Sequence, residues 1–252
     1  MAKFSFHCQC YKKENINGID RHNRRKNKHY GNQDIDTACS KFNRVFITPD
    51  TTLYQACKKQ IEERVLSHGS RVTRSSNWLA ECIFSYPEEL PADRADEYFT
   101  LVIEYMQNKL GKDNVIQAIS HADEAYSRGT GLQHLHLDVI PITADYRLSS
   151  KSLINRDFIL SVHNELPKYL QRHGFNVERG SAEHEAAGLS TKEYKKAMDK
   201  EASLIDQRLN ALSDEYNRLA EAYNALVIQK KHLEQRNMKL AYDLINHRPI
   251  SR

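Results

Sequence analysis

The sequence predicts an α+β protein: an antiparallel sheet packed with helices, followed by one long C-terminal coiled-coil helix. Three observations predict it. Segments with period-two alternation interleave with longer amphipathic segments as far as Gly174. Residues 114–121 and 134–142 are both strand-like and adjacent in the chain, which suits an antiparallel pair at the centre of the sheet. From Ile205 onward, apolar residues recur every seven positions.

Each element has its own signal. Residues 3–11 alternate apolar and polar positions and form a first strand, with Phe4, Phe6, Cys8 and Cys10 on one face. Residues 12–36 are polar, contain the turn pair Asn17-Gly18, and read as a loop. Residues 43–48 form a short strand. Asp50 or Thr51 caps a helix running to about Ser67, with Leu53, Cys57, Ile61 and Val65 on one stripe. A strand is expected over 80–86. A second helix spans roughly 92–110, with Phe99, Val102, Ile103, Met106 and Leu110 facing the core, and Gly111 stops it. A third runs from about 155 to 173 and ends at Gly174; Pro167 inside it should kink it. Helices on one face of the sheet leave the other face open.

The C-terminal region follows a different rule. Ile205, Leu212, Leu219, Leu226, Leu233 and Leu240 fall at one core position of a heptad; Leu209, Tyr216, Tyr223, Lys230, Asn237 and Leu244 fall at the other. No Gly or Pro occurs from 189 to 247. A seven-residue period favours self-association, because a helix packed on its own domain follows 3.6. The expected partition is a domain over 1–195 and a dimerising helix over 196–246.

Composition sets the outer bounds. A chain of 252 residues can bury one good core plus an appendage. With 28% charged residues and a mean hydropathy of -0.71, no apolar run approaches the ~20 residues of a membrane span. The start, Met-Ala-Lys-Phe-Ser-Phe, lacks a signal-peptide pattern, so a cytoplasmic location is expected. The net charge of +4 is modest, but Arg21, Arg24, Arg25, Lys26 and Lys28 crowd into one stretch beside His22 and His29. Such a run either contacts phosphates or is a solvated loop. Five cysteines, an odd number, argue against a disulfide framework, and Cys8 and Cys10 lack a second pair for zinc.

The chemistry gathers around histidines. His134 and His136 project together from one strand face, and a third nitrogen or a carboxylate would complete a metal site with an open position. His121 and Glu124 are the nearest candidates. Asp123 or Glu124 could instead orient an imidazole, and Asp138 shares the face of the two strand histidines. Imidazole ligands suit Mn²⁺, Zn²⁺ or their neighbours more than Mg²⁺.

These residues also carry a resemblance. His121-Ala-Asp-Glu followed by His134-Leu-His-Leu-Asp-Val-Ile-Pro-Ile resembles the metal motif of plasmid mobilisation relaxases of the MobV type, also called plasmid recombination enzymes. Arg21-His-Asn-Arg-Arg25, with Tyr30-Gly-Asn-Gln-Asp-Ile-Asp36, resembles their N-terminal motif; Arg147-Leu-Ser-Ser-Lys151 and Gly174-Phe-Asn-Val-Glu-Arg-Gly180 follow in order. The likeness covers roughly the first 195 residues. One departure is the linker Ala125–Gln133, which is longer than the family's and lacks its proline.

The resemblance implies the HUH-endonuclease fold, with a DNA strand and a metal on the open sheet face. It implies His121, His134 and His136 as ligands of a divalent ion, with Mn²⁺ expected first and Mg²⁺ or another divalent ion as alternatives. It implies His22 as the nucleophile, with Tyr30 and Tyr11 as alternatives, and Glu124 as a catalytic carboxylate. Arg25 would clamp phosphate with Arg24 and Lys26 nearby; Asn32, Asp34 and Asp36 would shape the His22 loop, and Arg179 fits the last motif. The activity implied is metal-dependent nicking of one strand at a plasmid origin of transfer, with a covalent phosphohistidine link. Plasmid DNA, a second copy of the chain and a conjugation coupling protein are the expected partners. A rolling-circle replication initiator of the same fold and a non-catalytic coiled-coil DNA-binding protein are the competing readings.

Overall fold

The computed structural model describes residues 1–30, 32, 34–124, 133–180 and 191–246. Two compact units divide at residues 184 and 185. The first is built on a six-stranded sheet of order β2-β4-β5-β3-β1-β6. Its strands are β1 (Ala2–Tyr11), β2 (Arg44–Ile47), β3 (Leu79–Ser85), β4 (Val115–His121), β5 (His134–Val139) and β6 (Val177–Arg179). Neighbours run antiparallel except β1 and β6, which pair in parallel from Ala2 opposite Val177. The α+β class and the central β4/β5 pair agree with the sequence.

Alternation divides the sheet cleanly. Phe4 and Phe6, Cys82 and Phe84, and Leu135, Leu137 and Val139 face one way, into the main core. That core is closed by α3 (Ala95–Leu110) and α5 (Arg156–Arg172), through Phe99, Val102, Met106, Val162, Leu166 and Leu170. Gly111, at φ 90°, ends α3 where a side chain would be strained. Asn155 caps α5, its side chain accepting from the Phe158 amide, and α5 continues through a buried Pro167.

The other face departs from expectation. It is not left open by helices on one side only: α1 (Ile16–Asn23) and α2 (Leu53–Arg64) cover part of it through a second cluster of Ile16, Leu53, Cys57, Ile61, Val65, Leu79 and Ile140. The α2 stripe is as expected, but Thr52 caps it rather than Asp50 or Thr51, in a reciprocal box with Gln55 worth about 1 kcal/mol. The α1 helix corrects the reading of 12–36 as a loop. Its propensity is poor, with Asn17 and Gly18 inside it, so burial of Ile16, Asp20 and Asn23 must hold it. β5 also stops at Val139, short of 142, ahead of Pro141.

A short α4 (Ser150–Leu153) precedes α5, and β6 is an element the sequence pattern did not announce. The second unit holds α6 (Thr191–Asn246). The heptad side chains from Ile205 to Leu244 lie along it and are exposed in the single chain. Among the described residues, no helix is long and apolar enough to cross a membrane.

Candidate metal and nucleophile site

Three imidazoles meet on the partly covered sheet face. Cross-strand register sets His121 of β4 opposite His134 of β5, with His136 two residues further on the same face. Ring centroids lie 5.3 Å apart for His121–His134, 4.5 Å for His121–His136 and 4.9 Å for His134–His136. His22 enters from the last turn of α1, its ring 5.7 Å from His121 and 5.5 Å from His136. Linker residues 125–132 lie outside the described residues, yet both of the linker's flanks are in place: Glu124 bridges to Ile35, and the Gln133 carbonyl accepts from the Tyr86 amide.

Hydrogen-bond partners assign the tautomers. His121 Nε2 donates to the Asn23 carbonyl at 2.9 Å, which leaves Nδ1 as a bare lone pair; that atom is buried and has no hydrogen-bond partner. His136 Nδ1 donates to Glu81 Oε1 at 2.8 Å, so its Nε2 is also a lone pair, 3.1 Å from His134 Nε2. Asn23 ties the arrangement together. Its buried amide donates to Glu81 Oε1 and to Asp138 Oδ2, each at 3.0 Å, while its carbonyl holds His121. One residue beside His22 thus fixes the orientation of two imidazoles on two strands.

A second knot surrounds Asp123. Its carboxylate accepts from Arg25 Nε at 2.9 Å and Nη2 at 2.6 Å, from Ser40, and from Asn43 at 2.8 Å. Arg25 also donates to Glu124 Oε1 at 2.8 Å, and Asn32 donates to Glu124 Oε2 at 3.0 Å. Arg25 sits at φ 53°, a left-handed backbone rare outside Gly, which turns its side chain back into the site. Its Nη1 lies 3.5 Å from His22 Nε2. Glu124 Oε1 is 4.0 Å from the same nitrogen, too far for a hydrogen bond.

The electrostatics favour neutral imidazoles. Burial, then the neighbouring His136 and Arg25 charges, push His121 far below the ordinary histidine value; burial and His134 do the same to His136. Burial and Arg25 lower His22. Beneath them, burial followed by the Glu81 charge raises Asp138 well above a normal carboxylate, and burial raises Glu81. The residues fit a divalent ion in kind: the orphaned Nδ1 of His121 and the facing Nε2 atoms of His134 and His136 are donors of the type such an ion takes. Ligand atoms of His121, Glu124 and His134 lie within 4.8 Å of one another, as do those of His22, His121 and His136. His121 is common to both sets. No cysteine joins such a group among the described residues; Cys8 Sγ instead lies 3.0 Å from Cys82 Sγ in the core.

The basic stretch divides. Arg21, Lys26 and Lys28 are exposed. Arg24 turns inward, pairing with Asp20 at 2.8 Å and donating to the Pro49 and Thr51 carbonyls, and the Arg25 side chain is 8% exposed. Arg179 is remote, donating to Asn164. Glu81, Asn23 and the anchoring role of Asp123 were not read from the sequence. The available signal for Glu81 was an acid inside the apolar run Leu79–Phe84, a residue that has to be partnered. Removing Glu81 as Glu81→Ala is expected to weaken divalent-metal affinity about 10- to 100-fold by freeing the His136 ring. Titration calorimetry with Mn²⁺ checks this; unchanged affinity would show that the carboxylate serves packing alone.

The sequence profile of the plasmid recombination enzyme family matches residues 1–196. A plasmid recombination enzyme of Bacillus thuringiensis is 30% identical over 247 residues, which is 95% of this chain and 53% of the relative. The type 1 enzyme of Staphylococcus aureus is 29% identical over 212 residues, 80% of this chain and 49% of its own. The chain therefore spans about half the length of the curated relatives it matches. The relaxase domain of MobM, solved with manganese and plasmid pMV158 oriT DNA, superposes with a TM-score of 0.70 at 25% identity, over 78% of this chain and 100% of that domain.

A six-stranded sheet bearing a histidine triad beside a helix-borne histidine is thus the relaxase fold. The chain belongs to the plasmid recombination enzyme family, the MobV-type relaxases.

Proposed function

We propose that this chain nicks one DNA strand at a plasmid origin of transfer and becomes joined to the 5′ phosphate through His22. The observation that most supports this is the convergence of His22, on a helix anchored by buried Ile16, Asp20 and Asn23, with His121 and His136. An imidazole nitrogen of neutral His22 forms a bond to phosphorus as the bond from phosphorus to the 3′ oxygen breaks; the 3′ oxygen leaves and takes up a proton. The link conserves the energy of the broken ester, so the reverse step rejoins strands, which suits mobilisation and plasmid recombination alike.

His121, His134 and His136 would hold the divalent ion, Mn²⁺ first, with Glu124 the adjacent carboxylate; bound there, the ion would polarise a non-bridging phosphate oxygen. Arg25 keeps a positive charge beside the reacting nitrogen: burial opposes it, but the hydrogen bonds it donates to Asp123 and Glu124 hold it ionised. Arg21, Lys26 and Lys28 supply exposed charge for the DNA backbone, while Arg24 and Arg25 hold the segment's shape. The reading is tested with a supercoiled plasmid carrying the DNA just upstream of this gene, incubated with the protein in Mn²⁺ or in chelator. Nicked circles with an SDS-resistant adduct in Mn²⁺ alone are expected. Nicking without an adduct would replace the covalent step by hydrolysis, and a protein that neither binds metal nor nicks would leave a DNA-binding role.

The catalytic part is assigned to 1–195, and 196–246 to a homodimer through the exposed heptad seam. Ile205 and five leucines fill one core position, while Lys230 and Asn237 at the other cost stability and set register. Light scattering should give twice the chain mass of 29.2 kDa, and Leu219→Asp with Leu226→Asp should return it to one chain. A wild-type monomer at micromolar concentration would remove the dimer from the proposal.

A further inference from the structure

A second copy can meet the seam of α6 in two orientations, and the side chains that flank the seam distinguish them. With the Leu209 series at heptad position a and the Ile205 series at d, the g flank carries Arg208, Glu215, Arg236 and Asp243, with Ala222 and Gln229 between them. The e flank carries Asp206, Ser213, Ala220, Val227, Glu234 and Ala241. Charge therefore gathers on g, and along the helix it runs positive, negative, positive, negative. All four charged g residues are exposed, and among the described residues none of them has an ion pair. Lys230 and Glu234, by contrast, pair within the helix at 3.9 Å.

In a parallel pair each g residue faces the e residue five positions on in its partner. Arg208, Glu215, Gln229 and Arg236 then meet the partner's Ser213, Ala220, Glu234 and Ala241, and no opposite charges are joined. Each core residue meets its own twin, so two Lys230 side chains share one layer of the seam, and Tyr216 and Tyr223 crowd against their twins. Asn237 alone gains a hydrogen-bonding partner in that arrangement.

Reversing one helix lays g along the partner's g and sets each a residue against a d residue. With Leu209 level with the partner's Leu240, every core residue from Ile205 to Leu244 has a core residue opposite. Lys230 then lies on the partner's Leu219, where its stem packs while its ammonium reaches water. Asn237 lies on the partner's Leu212, Tyr216 on the partner's Leu233 and Tyr223 on the partner's Leu226. On the flank, Arg208 meets the partner's Asp243 and Glu215 meets the partner's Arg236, each twice by symmetry. A slip of one heptad undoes this in either direction: one sets Arg208 against the partner's Arg236, the other Glu215 against the partner's Asp243.

We propose that α6 helices of two copies pair antiparallel in this register. The inference rests on the homodimer reading above and gives it a direction. It also separates the two copies. Ile205 and Leu244 are 39 residues apart, so the two chains enter the seam at ends roughly 60 Å from each other. The nicking units are then tethered to opposite ends of the pair, each to meet its own DNA, whereas a parallel pair would tether both at one end.

The test exchanges the flank in the full-length protein. Arg208→Glu with Arg236→Glu makes every charged g residue acidic, and Glu215→Lys with Asp243→Lys makes every one basic. Each variant alone should dimerise about tenfold to a hundredfold more weakly than wild type at low salt. An equimolar mixture should regain dimers of wild-type strength, with one chain of each kind by native mass spectrometry. Orientation is read separately by mild oxidation of Leu209→Cys chains mixed with Leu240→Cys chains. A disulfide between the two new cysteines is expected, absent when Leu209→Cys is oxidised alone. Charge variants that dimerise as tightly as wild type would overturn the proposal, as would a Leu209→Cys disulfide to its own twin, the mark of a parallel pair. Either result leaves the homodimer standing; a wild-type monomer at micromolar concentration would remove the dimer and its direction together.

Discussion

Replacing His22 with alanine is expected to abolish the SDS-resistant protein–DNA adduct and to lower nicking by several orders of magnitude. The expectation follows from position. Among the described residues, His22 is the only histidine brought to the triad from a helix, and its side chain is 36% exposed where His121 is fully buried. DNA can therefore reach it. The alternatives are placed differently. The Tyr11 phenol is raised by burial and then by the Glu81 charge. Tyr30 lies closer, its ring 6.5 Å from His22 with the Arg25 guanidinium 5.7 Å above it. An adduct that persists in His22→Ala would pass the role to Tyr30. The same variant separates the pH behaviour. Attack needs the neutral ring; burial and Arg25 lower its folded value, so wild-type nicking should hold at pH 6.5 and fall below it. Nicking that increases on acidification would contradict a histidine nucleophile.

Replacing Asp123 with alanine is expected to be the most destabilising single change near the site, by about 3–5 kcal/mol. The Asp123 side chain is fully buried and that of Arg25 nearly so. Removing the acid strands a buried guanidinium and also unties Ser40 and Asn43. A double variant, Asp123→Ala with Arg25→Met, should recover part of the loss, because the uncompensated charge is gone. Denaturant unfolding checks both; a cost under 1 kcal/mol would mean that water reaches the pocket. The sign with pH follows from the same contacts. Burial opposes the Asp123 carboxylate, but Arg25, Ser40 and Asn43 hold its folded value below the usual range. Its contribution is therefore complete above the unfolded value near pH 3.9 and is lost as pH falls through the folded one.

Much of this architecture was legible from pattern. The β4/β5 pair, the α2 stripe and α3 each repeat a strong local signal, and burial agrees with it at Leu53, Cys57, Ile61, Phe99 and Met106. The placement of His134 and His136 side by side needed only the two-residue period of a strand. What failed was decided by contacts distant in sequence. The α1 helix looked like a turn because Asn17-Gly18 is turn chemistry, and burial of Ile16 and Asp20 together with the Asn23 contacts to Glu81 and Asp138 outweighs that preference. Arg25 looked like part of an exposed basic run, and its inward aim depends on a positive φ and on an acid 98 positions away. Glu81 was hidden among apolar neighbours, since alternation sends it to the site and Cys82 to the core.

The parallel pairing of β1 with β6 has a consequence for how the chain matures. Lys3 and Glu178 are neighbours across that edge, yet 175 positions separate them. On the ribosome, β1 gains β3 early but carries an unpaired edge until nearly the whole unit has been synthesised. Closure of a contact so distant in sequence is slow. A nascent chain released before residue 177 would keep that edge available to other strands, which makes truncated translation products of this protein candidates for aggregation.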